Sequence, residues 1–347
     1  MAGELRVALA AGVDPRQITF HGNNKGRDEL AFAIQSGIGH IAIDNLHEIA
    51  LLEDLTGSGH PQNVLIRLNP GIDVHTHGKI ATGVIDSKFG FPLWTDDAAQ
   101  AVSRIVECRG LSLQGYHCHL GSQLFDLDAP IIAVRKIMQF ADEMFGRHGL
   151  APRIISPGGG MGIAYTREAT PAAMSDWVAR TVEEVVRLSN ESGFDPPRVI
   201  FEPGRYLVGQ AGVAVYEAGS RKEIPGVRTY ISVDGGMADN IRPALYDAVY
   251  TAEIANRLAT GESEHVTIAG KFCESGDILI REIALPRIEP GDLLALPAAG
   301  AYCIPLASNY NMAPKPAVVL VESGVATLAR RRESFGEMMA TAVMPSL

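Results

Sequence analysis

From residue 17 to about residue 212, short β-branched apolar runs alternate with longer stretches whose apolar residues recur every three or four positions. The runs Gln17–Phe20, His40–Ile43, Val64–Leu68, Leu111–His117, Arg153–Ser156 and Val199–Phe201 predict strands. Between them, Asp28–Ser36, Leu46–Leu55, Asp96–Cys108, Ile131–His148 and Pro171–Ser192 predict amphipathic helices. This alternation predicts a parallel sheet with helices outside it. A TIM-type (β/α)8 barrel needs eight such units, and six are visible.

After residue 213 the pattern changes. Val213–Tyr216, Thr229–Val233, Val266–Ala269, Leu293–Leu296, Ala317–Val321 and Ala326–Arg330 read as strands with little helix between them. Turn signals at Asp234-Gly235-Gly236, Glu289-Pro290-Gly291-Asp292 and Glu322-Ser323-Gly324 fit their connections. The expected organisation is therefore an α/β domain at 1–212, an incomplete TIM-type barrel, followed by an all-β barrel or sandwich at 213–347.

Composition narrows the partners. The 347 residues are 46% hydrophobic and 20% charged, enough to bury two cores. A net charge of -10, with 30 Lys and Arg scattered rather than blocked, argues against nucleic acid and against an anionic membrane surface. The expected ligand is a small molecule. No apolar run reaches the length of a membrane span, and the opening residues lack a basic leader, so the protein is expected to be cytoplasmic. Cys108, Cys118, Cys273 and Cys303 show neither metal-ligand spacing nor a disulfide framework, and reduced thiols are expected.

Candidate chemistry clusters just after the barrel-type strands, where parallel barrels build their sites. Ser156-Pro157-Gly158-Gly159-Gly160-Met161-Gly162 suits either a phosphate loop or a tight strand-to-helix connection. Glu202-Pro203-Gly204-Arg205 places an acid and a base at a strand end. They form a surface pair, or else a carboxylate for a protonated ring nitrogen and a guanidinium for an anion. In His117-Cys118-His119, alternation sends one imidazole into the barrel and the other to its rim. With no third ligand at a convincing spacing, stacking or hydrogen bonding is preferred to zinc, and no metal is expected. His75-Thr76-His77 reads as a solvated loop. Cys273-Glu274-Ser275-Gly276-Asp277 reads as a polar turn, since a nucleophilic Cys needs a neighbouring base.

In this order the motifs resemble the diaminopimelate decarboxylase family of fold-type III, alanine-racemase-like pyridoxal-phosphate enzymes. The likeness extends over nearly the whole chain: His21-Gly22-Asn23-Asn24-Lys25, Ser87-Lys88-Phe89-Gly90, the His117–Gln123 segment, the triple glycine and Glu202-Pro203-Gly204-Arg205. It continues through Asp234-Gly235-Gly236-Met237, Arg242-Pro243-Ala244-Leu245-Tyr246, Cys273–Asp277, Gly300-Ala301-Tyr302 and Ser308–Met312.

The resemblance implies a pyridoxal 5'-phosphate cofactor and an amino-acid substrate, with release of carbon dioxide from meso-2,6-diaminopimelate to give L-lysine. It implies that His119 stacks on the cofactor ring, that Glu202 bonds the ring nitrogen, and that Ser122, Gly158, Gly159, Gly160, Arg205 and Tyr302 help surround the cofactor. Arg205, Arg242, Tyr246 and Tyr302 would bind the substrate. Glu274 would reach its distal ammonium, and Cys273 and Glu274 would come from a second subunit of a homodimer with shared sites.

One family feature is missing. The lysine that holds the cofactor belongs to a Tyr-x-x-Lys-Ala-Asn motif at the end of the first barrel strand, and none of the seven lysines stands in such a motif. Met1–Leu5 aligns where the family enters its second barrel helix, so the first two barrel strands and an earlier β-domain strand are expected to be absent from this stretch of sequence. The 347 residues alone are accordingly expected not to turn over. Other readings are a non-catalytic cofactor- or partner-binding fragment, or an ornithine- or arginine-type decarboxylase.

Overall fold

The computed structural model describes residues 1–57, 61–72, 86–258 and 260–343. His75-Thr76-His77 and Lys79 lie outside these described residues. The chain separates into two units, Met1–Gly162 with Pro171–Pro203, and Ile163–Thr170 with Gly204–Leu347.

The strands of the first unit are β1 (Thr19–Phe20), β2 (His40–Ile43), β3 (Gln62–Asn69), β4 (Phe91–Pro92), β5 (Leu111–His117), β6 (Ile154–Gly158) and β7 (Arg198–Phe201). Their ladders are all parallel, in the order β1-β2-β3-β5-β6-β7, with β4 added to β3. This is the expected incomplete TIM-type sheet. Its helices are α1 (Ala2–Ala10), α2 (Arg27–Gln35), α3 (Leu46–Thr56), α4 (Asp97–Glu107), α5 (Asp128–His148) and α6 (Met174–Ser192). Parallel strands covered on both faces tend to be apolar on both, and β3 accordingly buries Val64, Leu65, Ile66 and Leu68, with Arg67 the charged exception, buried near Asp44. Helix α4 turns Ala98, Ala101, Val102 and Ile105 inward, the three- and four-residue spacing that made it legible. Both α5 and α6 stop at a left-handed glycine, Gly149 and Gly193. Within β5, a Cβ at Gly115 would overlap the Ile154 carbonyl of β6, so only glycine keeps that pairing.

A charged pair is sealed into this unit. Lys25 Nζ lies 2.7 Å from Glu48 Oε1, with side chains only 2% and 1% exposed. The ammonium also donates to the carbonyls of Gly22 and Ala42, at 2.6 and 2.8 Å. Glu48 Oε2 in turn accepts the Asp44 N–H at 2.8 Å. Burial pushes the Lys25 ammonium down and the Glu48 carboxyl up, both towards neutrality, and their mutual attraction opposes this in each.

The second unit contains β8 (Ala214–Ile224), β9 (Arg228–Val233), β10 (Glu253–Ile254), β11 (Ser263–Ala269), β12 (Ile278–Pro286), β13 (Leu293–Leu296), β14 (Val318–Glu322) and β15 (Val325–Arg330). Its short helices are α7 (Gly204–Val208), α8 (Arg242–Tyr246) and α9 (Phe335–Met339). A mixed six-stranded sheet runs β10-β13-β8-β9-β11-β12, with β9 and β11 parallel, and β14–β15 form a hairpin. Its core is Ile163, Tyr165, Tyr216, Ile231, Val233, Val266, Ile268, Leu279, Ile280, Leu294 and Leu296 among others. Strands β10 and β12 are not predicted by the sequence pattern. In β12 the exposed pair Arg281-Glu282 interrupts the apolar alternation that would have signalled a strand.

Candidate active site

The first unit gathers side chains from four strand ends. His21 follows β1, His117 ends β5, the turn Gly158-Gly159-Gly160 leaves β6, and Glu202 follows β7. This is the carboxyl end of a parallel sheet, where the chain leaves the hydrogen-bonded ladder and side chains are released to converge. His117 Nε2 lies 3.2 Å from Glu202 Oε1 and 3.3 Å from Oε2. His21 Nε2 lies 3.3 Å from Oε1, and the Ser156 hydroxyl donates to the same oxygen at 3.3 Å. The two imidazole rings are 4.6 Å apart.

Electrostatics follow from these contacts. Burial pushes the Glu202 carboxyl up, but the hydrogen bonds from His117 and His21 outweigh it and hold the group far below the usual carboxylate range. His117 is 1% exposed, and burial pushes its imidazole down to about 4, despite the raising effect of Glu202. It is therefore neutral near pH 7, with the Nε2 proton turned to the carboxylate, while its buried Nδ1 has no partner among the described residues. Cys118, between the two histidines, is fully buried, and that burial pushes its thiol up to about 12, so it is inert.

The alternation of His117 and His119 holds: His117 is buried and His119 exposed. The partner of His117 is a correction. His21, His117 and Glu202 place one possible ligand atom each within 4.8 Å of one another, whereas spacing alone had offered only His119 as a companion. Their 3.2–3.3 Å separations are those of hydrogen bonds.

The glycine turn is built for close backbone approach. A Cβ at Gly159 would overlap the Glu202 carbonyl oxygen, and one at Gly160 would overlap that of Gly121. Gly158 and Gly160 adopt φ +73° and +102°. Two of its donors are engaged within the chain: Gly158 N–H with Ser156 Oγ at 3.2 Å, and Gly159 N–H with His119 Nδ1 at 3.2 Å. The latter bond fixes His119 Nδ1 as the acceptor and orients the ring. Ser122 is exposed two residues before the Leu124 N–H that donates to the Gly160 carbonyl at 2.9 Å.

In the second unit Arg205, Arg242 and Tyr302 come together. Arg242 is 5% exposed, its guanidinium carbon 4.5 Å from the ring centre of Tyr165 and 5.4 Å from that of Tyr250, and it donates to the Tyr250 hydroxyl. Arg205 donates to the Tyr165 hydroxyl and lies 4.7 Å from the Tyr302 ring centre. Tyr246 is exposed at the end of α8. Cys273 and Glu274 are exposed on a turn, where Tyr310 donates to Glu274. Asp277 holds that turn in place, accepting the Phe272 N–H at 2.8 Å and the Met237 N–H at 2.6 Å. Sequence reasoning gave no role to His21, Tyr165 or Tyr250. The strand-end rule that found His117 applies equally to His21, whereas no local signal marks Tyr165.

The residues around Glu202 fit the ring of pyridoxal phosphate. A carboxylate kept ionised by two imidazoles suits a protonated pyridine nitrogen, while the glycine turn packs its backbone against the Glu202 and Gly121 carbonyls beside it. Lys25 does not serve as a covalent anchor here, because its ammonium is sealed against Glu48.

A family described as "Pyridoxal-dependent decarboxylase, pyridoxal binding domain" matches residues 2–209. Diaminopimelate decarboxylase of Bacillus subtilis is 47% identical over 338 residues, spanning 97% of this chain and 77% of that protein. The crystal structure of the M. jannaschii diaminopimelate decarboxylase superposes with a TM-score of 0.92 at 34% identity, over 99% of this chain and 78% of that one. A second structure of that enzyme, in complex with L-lysine, also gives 0.92, at 33% identity and the same coverage. Identity at this level over nearly the whole length, together with the Glu202 and glycine-turn geometry, leads to one conclusion: the chain belongs to the diaminopimelate decarboxylase family of pyridoxal-dependent decarboxylases.

Proposed function

We propose that these 347 residues serve the removal of one carboxylate of meso-2,6-diaminopimelate, giving L-lysine and carbon dioxide with pyridoxal phosphate as cofactor, and that turnover also needs a lysine, outside these residues, to hold the cofactor. The observation that carries this reading is Glu202, a carboxylate held ionised by His117 and His21 at the carboxyl end of the parallel sheet. The cofactor, when bound, supplies a protonated ring that accepts the electron pair left by the departing carbon dioxide. Glu202 keeps the proton on the ring nitrogen, and the neutral His117 keeps Glu202 in place and charged. His119, oriented by the Gly159 N–H, would lie against the ring. Ser122, Gly158, Gly159, Gly160 and Tyr302 hold the phosphate, with Arg205 contributing to the cofactor's surroundings.

Arg205, Arg242 and Tyr246 bind the substrate's carboxylates with help from Tyr302, and Glu274 pairs with its distal ammonium, each a charge-assisted contact. Two arginines suit a substrate with two carboxylates, which ornithine and arginine lack. In the protein expressed from its native gene and loaded with cofactor, kcat/KM for meso-diaminopimelate should exceed that for ornithine or arginine by at least about 100-fold, the scale set when a buried charged group loses its partner. A higher value for either competitor would overturn the assignment.

The protein acts in the cytoplasm as a homodimer, with Cys273 and Glu274 of one subunit completing the site of the other and Cys273 at the reacting centre. No described helix is long and apolar enough to cross a membrane. Glu202→Gln and Glu274→Gln homodimers should each be inactive, and subunit exchange between them should restore up to about a quarter of normal activity through one intact site. No recovery after verified exchange would contradict sharing.

A further inference from the structure

Arg242 is a buried cation in an unusual setting. Among the described residues no carboxylate forms an ion pair with it, although it is 5% exposed. Its contacts are aromatic: Tyr165 at 4.5 Å, Tyr250 at 5.4 Å, and the Tyr250 hydroxyl, which takes one of its N–H groups. An ion stripped of water normally demands an opposite charge, and ring faces compensate only in part. A guanidinium compensated in this way remains suited to pairing with an anionic group.

Tyr165 joins this arginine to the next. Its ring lies against Arg242, while its hydroxyl accepts an N–H of Arg205, whose guanidinium rests on Tyr302 at 4.7 Å. Tyr165 is itself fixed, 9% exposed, with its ring edge-to-face against Tyr250 at 5.3 Å and 81°. Tyr250 is backed in turn by Cys303 Sγ at 3.6 Å from its hydroxyl. One phenol therefore spaces two guanidiniums that would otherwise repel each other.

We propose that Tyr165, supported by Tyr250, is a positioning residue that sets Arg205 and Arg242 at the spacing required by the anionic groups of a dicarboxylic amino acid. The inference rests on the substrate assignment above and adds a residue to it. Tyr165 touches no reacting atom; it acts through the two arginines.

The test uses Tyr165→Phe, which keeps the ring under Arg242 and removes the hydroxyl that accepts an Arg205 N–H, in the cofactor-loaded protein expressed from its native gene. KM for meso-diaminopimelate should rise about tenfold, as for loss of one charge-assisted hydrogen bond, with kcat within about threefold and cofactor affinity unchanged. Arg205→Lys should raise KM as well, and the double variant should do little worse than the more impaired single one, because the two changes break one contact. Tyr250→Phe, which frees an Arg242 N–H, should show the same split between KM and kcat. Unchanged KM in Tyr165→Phe, or fully multiplicative effects in the double variant, would overturn the positioning role while leaving the substrate assignment intact. Failure of the unmodified protein to use meso-diaminopimelate would overturn both.

Discussion

Glu202→Gln should lower kcat by on the order of 100- to 1000-fold, in line with the loss of one preorganised electrostatic contact in other active sites. The substitution preserves shape and removes charge. An amide cannot hold a proton on a pyridine nitrogen, and a neutral ring accepts electrons less readily. It also changes what His117 sees: its Nε2 proton, aimed at a carboxylate from 3.2 Å, would meet a neutral oxygen or an N–H. Because the bonds from His117 and His21 favour the ionised carboxylate in the folded unit, the neutral amide should also lower the urea midpoint at pH 7, an effect discounted by the one-third exposure of the side chain. The measurement is kcat at saturating substrate and cofactor, with the urea midpoint as control. A loss smaller than tenfold would mean that Glu202 does not govern the ring.

The second large effect falls on stability. Glu48→Gln should destabilise the first unit by about 3–5 kcal/mol, the usual cost of leaving one partner of a buried ion pair alone. The amide still accepts the Asp44 N–H that now reaches Glu48 at 2.8 Å, so the change isolates the charge. The stranded ammonium would keep only the Gly22 and Ala42 carbonyls, at 2.6 and 2.8 Å. Adding Lys25→Met should recover more than half of the loss, since two uncharged groups of similar volume need no counter-ion. Chemical denaturation of the two variants decides this. Equal stability of Glu48→Gln and the parent protein would show that the pair is not sealed.

The parallel sheet was legible because short apolar, β-branched runs alternate along the chain with longer stretches of helical period. His40–Ile43 and Leu111–His117 stand where the pattern placed them. The same logic fails for β12, where Arg281 and Glu282 face solvent and break the run. At the site, Glu202 and the triple glycine are visible as strand-end motifs, and the structure gives their neighbourhood. The pairing of His21 with Glu202 joins opposite ends of one unit, and no local periodicity encodes it. Tyr165 is the clearest case. It sits in a short loop three residues after Gly162, and its meaning appears only when Arg205 and Arg242 meet on its two sides.

The central claim is that the chain's residues hold pyridoxal phosphate for the decarboxylation of meso-diaminopimelate. The most direct measurement incubates the protein expressed from its native gene with that substrate, with and without pyridoxal phosphate, and quantifies both products. The account predicts L-lysine and carbon dioxide in equal amounts, only when the cofactor is present, and almost none from Glu202→Gln. Release of carbon dioxide without lysine, or turnover of ornithine to putrescine in preference, would contradict it.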